Sequence, residues 1–245
     1  MELLKISNLC VDYGRKSVLS NINLTIDSGE VLSIAGDNGS GKTTLFKAII
    51  NDLPDGASIS GEIIYENKSL LEQKDIQWFK RSIAYVPQDD SFSCDTPFEE
   101  VSYSYKLHTN KVDNDYVDRV FREFCLEGIK NKRLITKNGS QLSGGEKKMV
   151  TLLSALCRKD AKLFLIDEPL NNLDAKNVRT INNIISKIHN EYPNAAIIII
   201  THCHSLAAIT SQFEIKDGKL FRIENEYKCF NCFGETDFKG YYKVR

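Results

Sequence analysis

The first third of the chain alternates apolar and polar residues in the way expected of half-buried strands. This alternation predicts a hairpin of two strands, 3–11 and 18–26, around a turn at 13–16. Shorter apolar segments predict further strands, and a glycine-rich loop after the first of them leads into a helical pattern. The strands are expected at 31–35, 62–65 and 83–86, and the helix from Lys42 to Asn51.

The rest of the chain changes to helical periodicity and then to buried strands. Residues 89–159 are mainly helical in pattern. Segments 163–166 and 195–200 are nearly continuous apolar runs, typical of parallel strands buried on both faces. Asp217-Gly218 predicts a late hairpin turn. The apolar positions at helical spacing are Tyr116, Val120, Phe121 and Phe124, and later Val178, Ile181, Ile184, Ile185 and Ile188.

These elements predict an α/β fold with a mostly parallel core sheet, a small antiparallel N-terminal sheet and a helical insertion. A chain of 245 residues fits one elaborated domain. Within it we expect a catalytic core formed by residues 1–88 and 160–224. Residues 89–159 form the helical part, and residues 225–245 form an aromatic and cysteine-containing tail.

Composition narrows the function classes. The 32 basic and 33 acidic residues nearly cancel, so no charge excess indicates nucleic acid as a partner. The N-terminus lacks the order of a secretory signal, and the run at 195–200 is too short to cross a bilayer. If the protein functions at a membrane, another chain would therefore have to supply the membrane-spanning helices. Seven mostly scattered cysteines argue against a disulfide framework and fit a reducing cytoplasm.

The strongest chemical signal is a glycine-rich loop between the predicted strand at 31–35 and the following helix. Gly36-Asp37-Asn38-Gly39-Ser40-Gly41-Lys42-Thr43 fits the P-loop pattern, in which glycines allow backbone N–H groups to converge on phosphates. The helix N-terminus adds its positive dipole end. Lys42 can reach the β- and γ-phosphates, and the Thr43 hydroxyl can bind Mg²⁺.

Two acids follow the predicted strand 163–166. Asp167 is placed to hold Mg²⁺ through water, and Glu168 is placed to polarise the attacking water as a general base. Upstream, Leu142-Ser143-Gly144-Gly145-Glu146 forms a second anion-binding helix start. One P-loop site does not need two such phosphate-binding nests.

Together these motifs resemble the nucleotide-binding subunits of ATP-binding-cassette (ABC) transporters, from about Leu3 to Glu224. Residues 36–44 match the Walker A loop, residues 142–146 match the signature motif, and Asp167-Glu168 match Walker B and the catalytic glutamate. Four further motifs match in the family's order. They are Tyr13 stacking on adenine, Gln88 sensing the γ-phosphate and Mg²⁺, the D-loop Asn171-Asn172-Leu173-Asp174, and the switch histidine His202.

The resemblance implies a set of site residues and the cofactors ATP and Mg²⁺. The catalytic residues are Glu168, His202 and Gln88, and the metal residues are Thr43, Gln88 and Asp167. The nucleotide-binding residues are Tyr13, Gly36, Asn38, Gly39, Ser40, Gly41, Lys42, Thr43, Thr44, Ser143, Gly144, Gly145 and Asp174.

Three positions depart from the family pattern. Asp37 places a negative charge near the phosphates, Glu146 replaces the usual signature glutamine, and the D-loop begins with Asn171-Asn172 instead of small residues. None removes a group that the chemistry needs, so a competent ATPase is expected.

The resemblance also implies shared sites and partners. Each nucleotide would lie between the P-loop of one cassette and residues 143–145 of a second cassette, in a homodimer or a heterodimer. Membrane-spanning transporter subunits are the other expected partners. Residues 89–100 are the candidate contact surface, and the expected location is the cytoplasmic face of the membrane.

Two functions remain open. The first is the ATPase subunit of a membrane transporter, expected to be an exporter. The alternative is a non-transport ABC ATPase acting with scaffold proteins, because the segment 143–148 resembles the ATPase of iron–sulfur cluster assembly. In the tail, Cys229 and Cys232 are either free thiols packed on the core or half of a metal site, for which Cys203 and His204 are other possible ligands.

Overall fold

The protein folds into two β-sheets with helices packed around them. The structure, a computed structural model, describes residues 1–73, 75–134, 139–170, 173–201 and 210–223. The strands are β1 (Glu2–Tyr13), β2 (Lys16–Asp27), β3 (Val31–Ala35), β4 (Ala57–Tyr65), β5 (Lys68–Ser69), β6 (Ile83–Val86), β7 (Leu163–Asp167), β8 (Ala196–Ile200), β9 (Ser211–Lys216) and β10 (Lys219–Arg222). The helices are α1 (Lys42–Ile49), α2 (Gln77–Ser82), α3 (Pro97–Thr109), α4 (Asn114–Glu123), α5 (Gly144–Leu156) and α6 (Ala175–Glu191).

The larger sheet is the predicted parallel core. Its strand order is β10-β9-β3-β8-β7-β6, and every neighbouring pair from β9 to β6 is parallel. Among the described strands of this sheet, the late hairpin of β9 and β10 is the antiparallel pair. Because parallel strands share one direction, the carboxyl ends of β3, β8, β7 and β6 lie along the same edge. The glycine loop, Gln88 and the two acids lie at the ends of β3, β6 and β7.

The smaller sheet is antiparallel, in the order β2-β1-β4-β5. It confirms the predicted N-terminal sheet and extends it. Strand β4 begins at Ala57, five residues before the predicted start, and its first half is mostly exposed. The short elements β5 and α2 were not predicted from the sequence, because two and six residues are too few for a periodic pattern.

Two hydrophobic clusters flank the central sheet, and the continuous apolar strands supply both. In β8, Ile197 and Ile199 pack into the cluster formed with helices α3 to α6. Ile198 and Ile200 point the other way, into the cluster with α1 and the antiparallel sheet. Since neighbouring residues of a strand face opposite sides, burial on both sides requires an unbroken apolar run.

The helical pattern predicted for 89–159 corresponds to α3, α4 and α5. Helix α4 buries Val117, Val120 and Phe121, and α3 and α5 each begin with a capping box. Helix α6 carries its predicted apolar face against α5. None of the helices in the described ranges is long and apolar enough to cross a membrane.

Candidate nucleotide site

The loop between β3 and α1 has the backbone that its glycines permit. Gly36 and Gly41 have positive φ angles of 147° and 109°, a region that residues with a Cβ rarely adopt. A Cβ at Gly36 would lie 2.4 Å from the carbonyl oxygen of Ile215, and one at Gly41 would lie 2.6 Å from Leu19 Cδ2. Both glycines are therefore required for the loop to turn tightly against its neighbours.

Lys42 is the first residue of α1 and is only 4% exposed. Its ammonium donates hydrogen bonds to the carbonyl oxygens of Gly36 at 2.8 Å and Asp37 at 2.9 Å. The loop therefore wraps around its own lysine and fixes the ammonium inside the curve. Asp37, one of the departures from the family pattern, is exposed.

Glu168 lies directly after β7, opposite this lysine. Its Oε1 is 3.7 Å from Lys42 Nζ, and its side chain is 7% exposed. The backbone at Glu168 is left-handed, with φ at 46°, and its N–H donates to the carbonyl oxygen of Ile200 at 2.9 Å. A non-glycine residue in this region is strained, and such strain persists only where the surroundings hold it. Strand β8 thus fixes the direction in which the carboxylate leaves the sheet.

Asp167, the last residue of β7, is fully buried. Within the described part of the chain, neither of its carboxylate oxygens has a hydrogen-bond partner. Burial raises the pKa of Asp167 to about 6, and the Glu168 charge adds to this rise. Lys42 and the Thr43 hydroxyl favour the ionised form, although the hydroxyl lies outside hydrogen-bond geometry.

These properties fit a magnesium ion. Buried carboxylate oxygens without partners need a cation to offset their desolvation, and Mg²⁺ prefers oxygen ligands such as carboxylates and hydroxyls. Asp167 and Thr43 interact, and Thr43 and Gln88 line one pocket. Thr43 is therefore beside Asp167 and shares a pocket with Gln88, the third predicted metal residue.

The pocket beside the loop has a volume of about 290 Å³. The Tyr13 hydroxyl lies 3.3 Å from Thr44 Oγ1, which places the ring at its wall. Two further residues that line the pocket, Lys16 and Val18, were not predicted from the sequence. Their position just after the turn at Tyr13 could have indicated them. The predicted residues that line the pocket are Tyr13, Asn38, Gly39, Gly41, Lys42, Thr43, Thr44, Gln88 and Glu168.

The signature motif forms a separate helix start. Ser143 Oγ accepts from the N–H of Glu146 at 3.2 Å, and Glu146 Oε2 accepts from the N–H of Ser143 at 2.8 Å. Burial opposes ionisation of Glu146, but hydrogen bonds from Lys132 and from the Ser143 backbone lower its pKa. Glutamate at this position therefore acts as an ionised helix cap.

Among the described residues, those lining the P-loop pocket do not include Ser143, Gly144, Gly145 or Asp174. A Cβ at Gly145 would lie 2.6 Å from Asn177 Nδ2, so the signature helix packs directly on α6. Asp174 caps α6 by accepting from the N–H of Asn177 at 2.8 Å. The predicted site residues are thus divided between two surfaces of the chain.

The acidic residues of the predicted contact segment 89–100 mostly have intramolecular partners. Asp90 pairs with Lys148 at 2.9 Å, and Asp95 pairs with Arg133 at 2.7 Å. Glu99 accepts from the N–H of Thr96, and Glu100 accepts from the N–H groups of residues 93 and 94. The segment therefore offers a partner less free negative charge than its sequence indicates.

Several predicted residues lie outside the described ranges. These are His202, the D-loop residues Asn171 and Asn172, the tail cysteines Cys229 and Cys232, and the other possible ligands Cys203 and His204. The strand before His202 is described, and it ends at Ile200 between β3 and β7. The roles predicted for these residues remain predictions.

A strand, a glycine loop closed around a buried lysine, and two acids at the end of a neighbouring parallel strand define a P-loop nucleotide-binding protein. The chain belongs to the ABC transporter family, whose family model matches residues 19–171. It is an ATP-binding subunit with the ABC-type fold, and like its relatives it hydrolyses ATP.

Individual relatives cover nearly the whole chain. The phosphate import ATP-binding protein PstB 2 of Aliivibrio fischeri is 30% identical over 93% of this chain and 85% of its own. The phosphonates import ATP-binding protein PhnC of Fusobacterium nucleatum is 31% identical, with coverages of 89% and 91%. The solved structure of cbiO1 from Clostridium perfringens, part of the ABC transporter complex cbiONQ, matches with a TM-score of 0.70 and 28% identity. It covers 90% of this chain and 87% of its own.

Proposed function

We propose that the chain drives import by a membrane transporter, as one of two cassettes that close on two MgATP molecules. Two relatives are named as import proteins, and a third is part of a transporter complex. These relatives give no support to export, the direction expected from the sequence. They also do not favour the scaffold-assembly alternative. Because these relatives belong to membrane transporters, we also propose that membrane-spanning subunits hold the chain on the cytoplasmic face of the membrane.

The observation that carries the ATP-hydrolysing part of the proposal is the pairing of buried Lys42 and Glu168 at 3.7 Å on the edge of the parallel sheet. An ammonium there can bind β- and γ-phosphate oxygens in place of the loop carbonyls it now contacts. The backbone N–H groups of the glycine loop and the α1 N-terminus add donors for the phosphate chain. Tyr13 at the pocket wall is placed to contact the base.

Thr43 and Asp167 would hold the Mg²⁺, with Gln88 as a third oxygen ligand. Bound there, Mg²⁺ supplies positive charge that offsets the negative charge developing on the phosphate oxygens. Glu168 accepts the proton of the attacking water, and its strained backbone keeps the carboxylate aimed at the phosphate position. The buried setting excludes other water from the reacting atoms.

Closure as a pair explains the separation of the signature helix from the P-loop pocket. Ser143, Gly144 and Gly145 of the partner subunit would cover the γ-phosphate bound by the first chain. ATP then stabilises the closed pair, and loss of the γ-phosphate lets it open. In the proposed domain division, the core carries the P-loop pocket and the helical part at 89–159 carries the signature helix. One chain therefore holds both surfaces.

A capture experiment tests the transport role. Tagged Glu168→Gln protein, loaded with MgATP, is used as bait in detergent-solubilised membranes, with Lys42→Ala bait as the matched control. Proteins with several membrane spans, captured by the first bait in stoichiometric amounts, are the expected result. Stoichiometric capture of scaffold proteins without spans would instead establish the assembly alternative.

A further inference from the structure

Helix α5 carries a second buried lysine. Lys148 lies five residues after Ser143, and its side chain is 7% exposed. Its ammonium donates to the carbonyl oxygens of Pro87 at 2.6 Å and Gln88 at 2.9 Å, and it lies 2.9 Å from Asp90 Oδ1. A lysine ammonium has three N–H donors, and here three oxygens receive them.

Asp90 is itself held by the same helix. The Thr151 hydroxyl, one turn after Lys148, donates to Asp90 Oδ1 at 2.8 Å, and the Asp90 side chain is 10% exposed. Lys148 and Thr151 therefore bind the segment after β6 from one face of α5. Removing one partner of a buried ion pair leaves an uncompensated charge, so the two elements separate only at a high free-energy cost.

This cross-link has a direct consequence for the nucleotide site. The carbonyl oxygen of Gln88 accepts a hydrogen bond from Lys148, and Gln88 is also one of the residues that line the P-loop pocket. The helix that holds this backbone begins at Ser143, on the other surface of the chain. A shift of α5 therefore moves Gln88 relative to Lys42 and Glu168, which lie on other elements.

We propose that Lys148 is a positioning residue that sets Gln88 in the nucleotide pocket and joins its motion to that of the signature helix. The inference rests on the proposed function of the pocket, because Gln88 matters only if the pocket turns over nucleotide. Lys148 does not line the pocket. Its charge also favours the ionised form of Asp167, and the proposal rests on its hydrogen bond to the Gln88 carbonyl oxygen.

The test is a double-mutant cycle between this cross-link and Gln88. The paired replacement Lys148→Met with Asp90→Asn removes both charges, so that neither is left buried alone. We expect it to lower kcat for ATP about tenfold, with little change in ATP affinity, because the positioning of one ligand is lost. In a Gln88→Ala background the same replacement should lower kcat less than about twofold. Equal losses in both backgrounds would mean a general structural role and would overturn the proposal.

Amide hydrogen exchange gives a second readout that needs no hydrolysis. Residues 88–92 should exchange faster in the paired replacement than in the wild type, while α1 should be unaffected. Lys187→Met, which breaks the ion pairs of Lys187 with Glu123 and Glu191, is the control and should leave residues 88–92 unchanged. Unchanged exchange in the paired replacement would refute the cross-link. If the wild type does not hydrolyse ATP but residues 88–92 still exchange faster in the paired replacement, the proposed function is refuted and the cross-link is not.

Discussion

Lys42 and Glu168 lie 3.7 Å apart between their charged atoms, on elements that the sequence separates by more than a hundred residues. One begins α1 and the other follows β7, and both side chains are nearly buried. Lys42 also donates to the carbonyl oxygens of Gly36 and Asp37, so the ammonium joins the glycine loop to the end of β7. The residue proposed to bind phosphate therefore lies next to the residue proposed as the base.

Replacing Glu168 with glutamine should reduce steady-state ATP hydrolysis about 10²–10⁴-fold, because the water loses its base. ATP affinity should persist, since Lys42 and the glycine loop are unchanged. Phosphate release and nucleotide binding by calorimetry are the measurements, with Glu62→Gln on the remote antiparallel sheet as the control. Near-wild-type turnover would remove Glu168 from the role of base.

Replacing Lys42 with alanine should instead weaken ATP binding about 10- to 150-fold, because a charge-assisted hydrogen bond contributes about 1.5–3 kcal/mol. Lys47→Ala, later on the same helix, is the matched control and should bind normally. Titration calorimetry with ATP and Mg²⁺ measures both. If the two variants bound ATP equally well, the P-loop role of Lys42 would be wrong.

The pKa of Asp167 predicts how stability depends on pH when EDTA is present and nucleotide is absent. Its folded pKa of about 6 lies above the value of about 3.9 expected in the unfolded chain. The folded state therefore binds the extra proton, and stability falls as pH rises from about 4 to about 6. Asp167→Asn removes this penalty, so it should unfold at a higher temperature than the wild type at pH 8.

The pKa shift of Asp167 limits the difference in the free energy of unfolding between the variant and the wild type to about 3 kcal/mol. The advantage of the variant should shrink below about pH 5, where the wild-type carboxyl is protonated in the folded state. Mg²⁺ with ATP should stabilise the wild type and have a smaller effect on the variant. Thermal unfolding of the variant and the wild type across pH, with and without Mg²⁺ and ATP, measures these effects. A difference in unfolding temperature that does not change with pH would contradict the raised pKa of Asp167.

The shared-site proposal predicts complementation between two inactive variants. Ser143→Arg blocks the signature surface, and Lys42→Ala blocks the P-loop. Random mixing puts about half of the dimers in heterodimeric form, each with both lesions in one site and an intact second site. We expect about a quarter of wild-type ATPase activity from independent sites, measured after refolding an equal mixture.

A tag pull-down confirms subunit exchange in that mixture. Confirmed heterodimers without recovered activity would show that independent sharing is wrong. A chain that is locked as a monomer and still hydrolyses ATP at the wild-type rate would exclude sharing altogether.

The sequence predicted the parallel core because its strands supply two hydrophobic clusters at once, as Ile197 and Ile198 do on opposite faces of β8. It predicted the chemical edge for the same reason, since the glycine loop, Gln88 and the two acids each lie at the carboxyl end of one of these strands. The early part of β4 escaped prediction because its side chains are mostly exposed and lack an apolar pattern.

Lys148 could not have been predicted from the sequence alone. In Glu146-Lys147-Lys148 it belongs to a charged run, and such runs usually lie on a solvated face. Its burial depends on oxygens from Pro87, Gln88 and Asp90, about sixty residues away, which only the folded chain brings near. Nothing in the local pattern indicates that these acceptors are present.

The capping box of α5 has one further consequence. Ser143 serves the helix as an acceptor, through an oxygen lone pair, and a hydroxyl has one proton besides. It can thus donate to an incoming anion while it still accepts from the N–H of Glu146. An aspartate would cap the helix as well but would repel that anion. In the proposed closed pair, a phosphate docked at this surface would therefore leave the cap of the helix in place.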